Sequence, residues 1–209
     1  MKAFLAIDTA ASYLTVIARN RQGKTVTSHL CDCAMNHSVK LLERVEKTLE
    51  EAETSLSDFD FFSCVIGAGS FTGIRIGIST VKGFCTATDK PSLPVTSFDA
   101  IAYTTGRVST LSVVSAGHNY YYVCGYNAEK EVILPPAYRS YEEVCVLRQD
   151  YAVLAGYEEL PFENAVRADM KEGLLLAVEG KSERAENFLP CEGLQALYVR
   201  KSQAEEQRK

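Results

Sequence analysis

The sequence predicts an α/β protein made of two successive βββαβα units. Three observations carry this prediction. Strand-like runs alternate with helical segments, the first half has the order βββαβα, and the same order returns about 105 residues later. The residues themselves do not visibly repeat, so only the pattern is duplicated. With 209 residues, 46% of them hydrophobic and 23% charged, the chain is long enough to bury a substantial core.

The first half begins with three strand-like runs and then alternates helices with strands. Its first helix is predicted from the helical spacing of Leu41, Leu42, Val45 and Leu49, with Asn36 as a plausible N-cap. The predicted elements are strands at Ala3–Ile7, Tyr13–Arg19 and Thr25–Cys31, a helix at His37–Ala52, a strand at Phe61–Ile66, a helix at Thr72–Ala87, a strand at Leu93–Thr96 and a helix at Phe98–Thr105.

The second half repeats this order. The predicted elements are strands at Leu111–Ala116, Asn119–Tyr126 and Glu131–Leu134, a helix at Tyr141–Leu147, a strand at Tyr151–Ala155 and a helix at Arg167–Glu179. A strand-like piece at Leu197–Val199 precedes a charged tail. The βββαβα unit is the core of the ribonuclease-H-like fold. In tandem, with mixed five-stranded sheets, it is the actin, Hsp70 and sugar-kinase (ASKHA) architecture.

We therefore expect two domains with the boundary after residue 107. Residues 1–107 form an N-terminal ribonuclease-H-like domain that carries the partner-binding helices. Residues 108–209 form a smaller, degenerate copy with the charged C-terminal tail.

The segment after the fourth predicted strand reads as a helix, yet it carries glycine at every fourth position. The three glycines that would share one helix face are Gly69, Gly73 and Gly77. A glycine in a helix interior costs about 1 kcal/mol relative to alanine, so this spacing is typical of a close approach by another backbone. The helix is also apolar on several sides. The alternative interpretation of this segment is an ordinary helix in the interior of the protein. We interpret the glycine face as a docking surface for a second helix.

Composition and charge narrow the functional classes. A net charge of −5 argues against a large basic surface that holds nucleic acid unaided, so any work on RNA would need a basic partner. The apolar start is too short for a signal peptide, and no run approaches the length of a membrane span. We expect a cytoplasmic protein with no membrane association. The seven cysteines include one close pair, Cys31 and Cys33, without a second pair for zinc, so we expect reduced thiols.

Few residues support catalysis. Asp8 ends the first strand, but the fourth strand ends without an acid, which argues against a two-metal nuclease. The hydroxyls of Asp8–Ser12 suit a phosphate, but the matching loop Ser115–Asn119 has no acid, and the chain has no Gly-Gly pair. We therefore treat Asp8, Thr9 and Ser12 as a vestigial nucleotide or metal site, and we expect no cofactor and no metal. The alternative is an ATP-binding phosphotransferase or ATPase in which Asp8 positions a metal.

Five motifs along the whole chain together resemble the bacterial TsaB (YeaZ) family. They are Ala6-Ile7-Asp8-Thr9, His37-Ser38 with Leu41-Leu42, Gly69-Ser70-Phe71-Thr72-Gly73-Ile74-Arg75-Ile76-Gly77, Ser97-Phe98-Asp99-Ala100-Ile101-Ala102 and Tyr198-Val199-Arg200-Lys201-Ser202-Gln203-Ala204-Glu205. The resemblance implies a non-catalytic subunit of the machinery that makes threonylcarbamoyladenosine next to the anticodon of tRNA. It also implies pairing with a TsaD-like catalytic subunit through the first-half helices, and a homodimer through the same surface. A TsaE-like ATPase and tRNA are reached only through the complex.

The partner-binding prediction combines the glycine face with this resemblance. The residues expected to bind the partner are Gly69, Gly73, Ile74, Gly77, Ile78 and Val81, with Leu41 and Val45 of the preceding helix. The resemblance places the metal-binding His-x-x-x-His pair of the catalytic relative at His37 and Leu41. Two departures stand out: Ala68 replaces the usual proline, and Gly117–Tyr122 replaces an acidic-basic stretch. The second departure puts in doubt any contact that the family makes there.

Overall fold

Two five-stranded sheets organise the computed structural model, which describes residues 2–200. The first sheet contains Phe4–Asp8 (β1), Leu14–Arg19 (β2), Thr25–Leu30 (β3), Phe61–Val65 (β4) and Ser92–Val95 (β5). The second contains Thr110–Gly117 (β6), Tyr120–Tyr126 (β7), Val132–Ser140 (β8), Val153–Gly156 (β9) and Val166–Arg167 (β10). The helices are His37–Glu51 (α1), Phe71–Thr88 (α2), Ser97–Tyr103 (α3), Tyr141–Leu147 (α4) and Met170–Ser182 (α5).

The two sheets have the same topology. Their strand orders are β3-β2-β1-β4-β5 and β8-β7-β6-β9-β10. In each sheet the first three strands of the unit pair antiparallel, and the last two add in parallel on the other side of the first. The prediction of tandem βββαβα units with mixed five-stranded sheets is therefore confirmed.

Two helices connect the sheets by packing on the opposite half. Phe98 of α3 is buried in the core cluster of the second sheet, whereas Leu174 and Val178 of α5 are buried in the core of the first. α3 and α5 pack closely at Gly173 of α5, where an added Cβ atom would collide with the carbonyl oxygen of Ala100 in α3. Each half therefore supplies part of the other half's core.

The C-terminal part of the described chain returns to the first sheet. Leu189 forms an isolated antiparallel bridge with Ser92 at the start of β5, and Leu194 is buried in the first core. The boundary proposed between residues 107 and 108 falls in the loop between α3 and β6. We retain it as a proposal for the two sequence units, each of which exchanges a helix with the other.

The structure departs from the predicted elements at several places. β10 was not predicted, because a strand of two residues is too short for an alternating pattern. The final helix begins at Met170 rather than at Arg167, because the Asp169 carboxylate accepts hydrogen bonds from the next two backbone amides. The predicted strand at Leu197–Val199 is wrong: this segment is irregular and is tied to Ile66 through one backbone hydrogen bond. The expected charged tail at 201–209 lies outside the described residues.

The edge position of β8 explains why this strand extends beyond its predicted end at Leu134. It continues through Pro135 and Pro136 to Ser140, and proline is tolerated at a sheet edge because no further strand needs its missing amide. Among the described residues, no helix has the length and apolar character needed to cross a membrane.

Candidate functional site

The glycine face of α2 is filled by the chain's own β1–β2 loop. A Cβ atom at Gly73 would collide with the carbonyl oxygen of Thr9, and one at Gly69 with the carbonyl oxygen of Ala10. At Gly77 it would lie 2.7 Å from the Thr9 hydroxyl. That hydroxyl donates a hydrogen bond of 2.7 Å to the carbonyl of Gly73. Gly73, and Gly69 two residues before the helix, do admit a close backbone, but that backbone belongs to the same chain.

The apolar residues predicted to bind a partner are buried inside this chain. They are Leu41, Val45, Ile74, Ile78 and Val81, each between 0% and 8% exposed. They belong to the core of the first sheet, where α1 and α2 pack against its strands. In this structure these five side chains are covered by the chain's own core. Their assignment as partner contacts, together with Gly69, Gly73 and Gly77, stays a prediction.

A different set of apolar side chains faces solvent on α1 and at the start of α2, and one more, Met35, lies in the turn before α1. We call these residues the α1–α2 face: Met35, Val39, Leu42 and Phe71. They are 95%, 70%, 55% and 45% exposed, in that order. A groove of about 490 Å³ runs between the helices beside Leu42 and Phe71. The guanidinium of Arg75 lies 3.7 Å from the centre of the Phe71 ring and covers part of it.

The α1–α2 face was missed because Leu42 was assigned to the buried side of α1. Leu41 and Leu42 are consecutive, so on a helix they point about 100° apart, and only one of them can point at the sheet. Val39 lies three positions before Leu42 and shares its side. An apolar pair at this spacing, off the stripe formed by Leu41 and Val45, is the signal that could have found the face.

A cleft of about 630 Å³ separates the two halves on the side of the β1–β2 loop. The first half lines it with that loop, the turn before α2 and the start of α1, and the second half adds Ser115, Tyr122, Tyr157 and Glu158. The Glu158 carboxylate accepts a hydrogen bond from the Ser115 amide. Ser12, one of the predicted vestigial residues, lies exposed on the rim.

Asp8 lies beneath this cleft and is fully buried. One carboxylate oxygen accepts a hydrogen bond of 2.8 Å from the Ala10 amide, and the other accepts one of 2.9 Å from the Tyr13 hydroxyl. Burial raises the pKa of Asp8 to about 6. The His37 Nε2 atom lies 2.9 Å from the Tyr13 carbonyl oxygen, which ties the start of α1 to the same loop. The contacts of Asp8 and Thr9 thus hold the β1–β2 loop against α2.

The described residues contain no group of three or more His, Cys, Asp or Glu side chains placed to hold a metal ion. The cleft is lined by hydroxyl groups, backbone amides and the Glu158 carboxylate. These groups can form hydrogen bonds with a small polar molecule. The roles of Asp8, Thr9 and Ser12 as remnants of a nucleotide site remain predictions.

We expect Asp8→Asn to raise the free energy of unfolding at pH 7 by about 3 kcal/mol. This is the free energy that corresponds to the rise of the Asp8 pKa from 3.8 to about 6. The folded protein holds the Asp8 proton more tightly than the unfolded chain does. The contribution of Asp8 to stability is therefore fully present below about pH 4, and it is lost as the pH rises through about 6. Urea unfolding at several pH values measures the difference in the free energy of unfolding between the variant and the wild type. This difference should vanish near pH 4. A difference that stays constant with pH would contradict the assignment.

Comparison with known proteins first identifies a family model. The model described as "TsaD: tRNA N6-adenosine threonylcarbamoyltransferase" matches residues 31–166. The chain is 35% identical over 98 residues to the tRNA threonylcarbamoyladenosine biosynthesis protein TsaB of Escherichia coli (strain K12). It is 31% identical over 98 residues to the protein of the same name from Bacillus subtilis (strain 168). Each alignment covers 47% of this chain and 42% of the relative, so the chain spans less than half the length of these curated relatives.

A solved structure shares the fold over nearly the whole chain. It is that of YeaZ from Pseudomonas aeruginosa, which superposes with a TM-score of 0.79 at 24% sequence identity. The superposition covers 95% of this chain and all of that one. At this identity the likeness establishes the shared arrangement of the two sheets and the helices around them.

Proposed function

The chain belongs to the TsaB (YeaZ) group of the family that the TsaD model describes, and from this premise we propose that it is a non-catalytic subunit of the machinery that forms threonylcarbamoyladenosine in tRNA. It docks on a homologous, TsaD-like catalytic subunit and holds that subunit in its competent state. The observation that carries this proposal is the α1–α2 face, where the large apolar side chains of Val39, Leu42 and Phe71 are exposed on one helix pair, with Met35 in the turn before it.

The exposed apolar surface supports the docking step. Leu42 and Phe71 line a groove, and Val39 is exposed three residues before Leu42. Arg75 and Tyr198 cover part of the Phe71 ring and leave the rest of it exposed. A grouped apolar patch of this kind is typical of a protein interface, whose centre is apolar and whose rim is polar. Here the charged side chain of Arg75 lines the groove beside Phe71.

Homology supports the choice of partner. This chain matches the TsaD model, so a TsaD-like subunit is expected to contain the equivalent pair of helices. Two related helix pairs can pack face to face as a four-helix arrangement, in which similar surfaces meet about an approximate twofold axis. In the isolated protein, two copies of this chain can pair through the α1–α2 face in the same way. The catalytic subunit would then take the place of the second copy.

The environment of Asp8 supports a non-catalytic role. Both of its oxygens accept hydrogen bonds from its own loop, and the carboxyl is buried. At the position where the resemblance places the second metal-binding histidine of the catalytic relative, this chain has Leu41, which is buried in the core. In this proposal tRNA and a TsaE-like ATPase meet the chain through the complex, in the cytosol.

Reconstitution of the modification tests this proposal. The catalytic subunit, tRNA and a threonylcarbamoyl donor are incubated with and without this chain, and the modified nucleoside is measured by mass spectrometry. We expect the nucleoside to form only when this chain is present. Equal formation without the chain would contradict an activating role. Modification by the chain alone would contradict a non-catalytic one.

The phosphotransferase alternative has its own test. Calorimetric titration with Mg-ATP should show no binding that depends on Asp8. Micromolar binding that Asp8→Ala abolishes would favour the alternative over the docking subunit.

A further inference from the structure

The β6–β7 hairpin presents a tyrosine stack that the proposed docking does not use. Tyr122 pairs with Tyr138 across β7 and β8, and Tyr120 pairs with Ser140, so all three tyrosines share one face of the sheet. The Tyr120 and Tyr138 rings are stacked, with centroids 4.7 Å apart and planes 5° apart. Tyr122 lies 5.8 Å from Tyr138, tilted by 49°.

The turn of this hairpin places Tyr120 at an exposed edge. His118 and Asn119 both have positive φ angles, 53° and 60°, as in the tight turns that suit the twist of paired strands. Both turn residues are exposed. Tyr120 remains 40% exposed although it is stacked on Tyr138, so part of its ring surface is accessible to another molecule.

A cation completes the group. The guanidinium carbon of Arg200 lies 5.1 Å from the centre of the Tyr138 ring, and its Nη1 atom donates a hydrogen bond of 3.3 Å to the Tyr138 hydroxyl. Arg200 is itself exposed. An accessible aromatic ring with a guanidinium beside it combines the two elements by which proteins hold unpaired nucleotides: stacking on the base and attraction of the phosphate.

We propose that Tyr120, Tyr138 and Arg200 form a platform on which an unpaired base of RNA stacks. This inference rests on the proposed function, which brings tRNA to the assembly, and it assigns a role to the Gly117–Tyr122 segment. Exposed carboxylates of Glu142 and Glu143 begin α4 close to the hairpin and repel phosphate. The platform therefore holds one or two nucleotides rather than a long stretch of backbone.

Fluorescence anisotropy with labelled, unstructured oligouridylate tests the platform, using the full chain at low salt. We expect measurable binding, about tenfold weaker for Tyr120→Ala, since removal of one stacking ring weakens binding by about this factor or more. Tyr120→Phe keeps the ring and should bind as the wild type does. Val146→Ala, at an exposed apolar residue of α4, is the matched control and should leave binding unchanged.

Several outcomes would overturn the platform. They are no binding by the wild type, equal binding by Tyr120→Ala, and equally effective competition by a duplex of the same length, which would indicate attraction of charge alone. Protection of Tyr120 by the catalytic subunit instead of by RNA would make the stack a protein contact. The proposed function is tested separately. If the modified nucleoside forms in the reconstitution but RNA does not bind, the platform alone is refuted. If RNA binds but this chain has no effect in the reconstitution, the proposed role as a docking subunit alone is refuted.

Discussion

Gly73→Ala should destabilise the fold by about 3 kcal/mol, the upper part of the range for an overpacked core. The added methyl group would collide with the carbonyl oxygen of Thr9, which is backbone and cannot rotate aside. Any shift that relieves the collision also weakens the hydrogen bond between the Thr9 hydroxyl and the Gly73 carbonyl. Chemical denaturation followed by circular dichroism measures the loss.

Gly83→Ala in the same helix is the matched control. Gly83 is exposed, and a Cβ placed there would meet no atom within 4 Å apart from its sequence neighbours and the backbone of its own helix. Because alanine is the better helix former, this substitution should raise the free energy of unfolding by up to about 1 kcal/mol. Equal effects of the two substitutions would show that helix propensity, rather than contact with the β1–β2 loop, decides the outcome, and would contradict the filled glycine face.

Leu42→Asp should weaken docking on the catalytic subunit by about thirtyfold or more. A central apolar contact in an interface contributes about 2 kcal/mol or more, and the new carboxylate would be buried without a partner. Leu42 is 55% exposed in the isolated chain, so the thermal unfolding midpoint should stay close to that of the wild type. Titration calorimetry with the purified catalytic subunit measures the affinity.

Val146→Asp provides the control for Leu42→Asp. Val146 is 68% exposed on α4 in the second half, away from the α1–α2 face, so the same change of chemistry there should leave docking unchanged. If both variants weaken docking equally, the added negative charge alone explains the effect. If Leu42→Asp binds as tightly as the wild type, the α1–α2 face does not bind the catalytic subunit.

Much of the fold can be predicted from the sequence because its signals are local. The helical spacing around Leu41 and Val45 predicts α1 to within one residue at each end, and the apolar run from Phe61 predicts β4. Where the signal is short or depends on other elements, prediction fails. β10 has two residues, and the irregular segment around Leu197 has the apolar pattern of a strand but makes only one backbone hydrogen bond to Ile66.

The site was harder to predict because the same glycine spacing fits contact with another chain and contact with a loop of this chain. The spacing of Gly69, Gly73 and Gly77 shows that a backbone must come close, but it does not show whether that backbone is another chain or the loop that ends β1. Only the three-dimensional arrangement answers this, because Thr9 and Gly73 are 64 residues apart in the sequence. The exchange of α3 and α5 between the halves is non-local in the same way.

Hydrogen exchange measured by mass spectrometry, on the chain alone and in complex with the catalytic subunit, tests the central claim most directly. Burial of the α1–α2 face should slow exchange in peptides from the first half of α1 and from the first turns of α2, around Val39, Leu42 and Phe71. Peptides from β8 and α4 should exchange at the same rate in both samples. Protection confined to the second half, with α1 and α2 unchanged, would contradict the proposed docking.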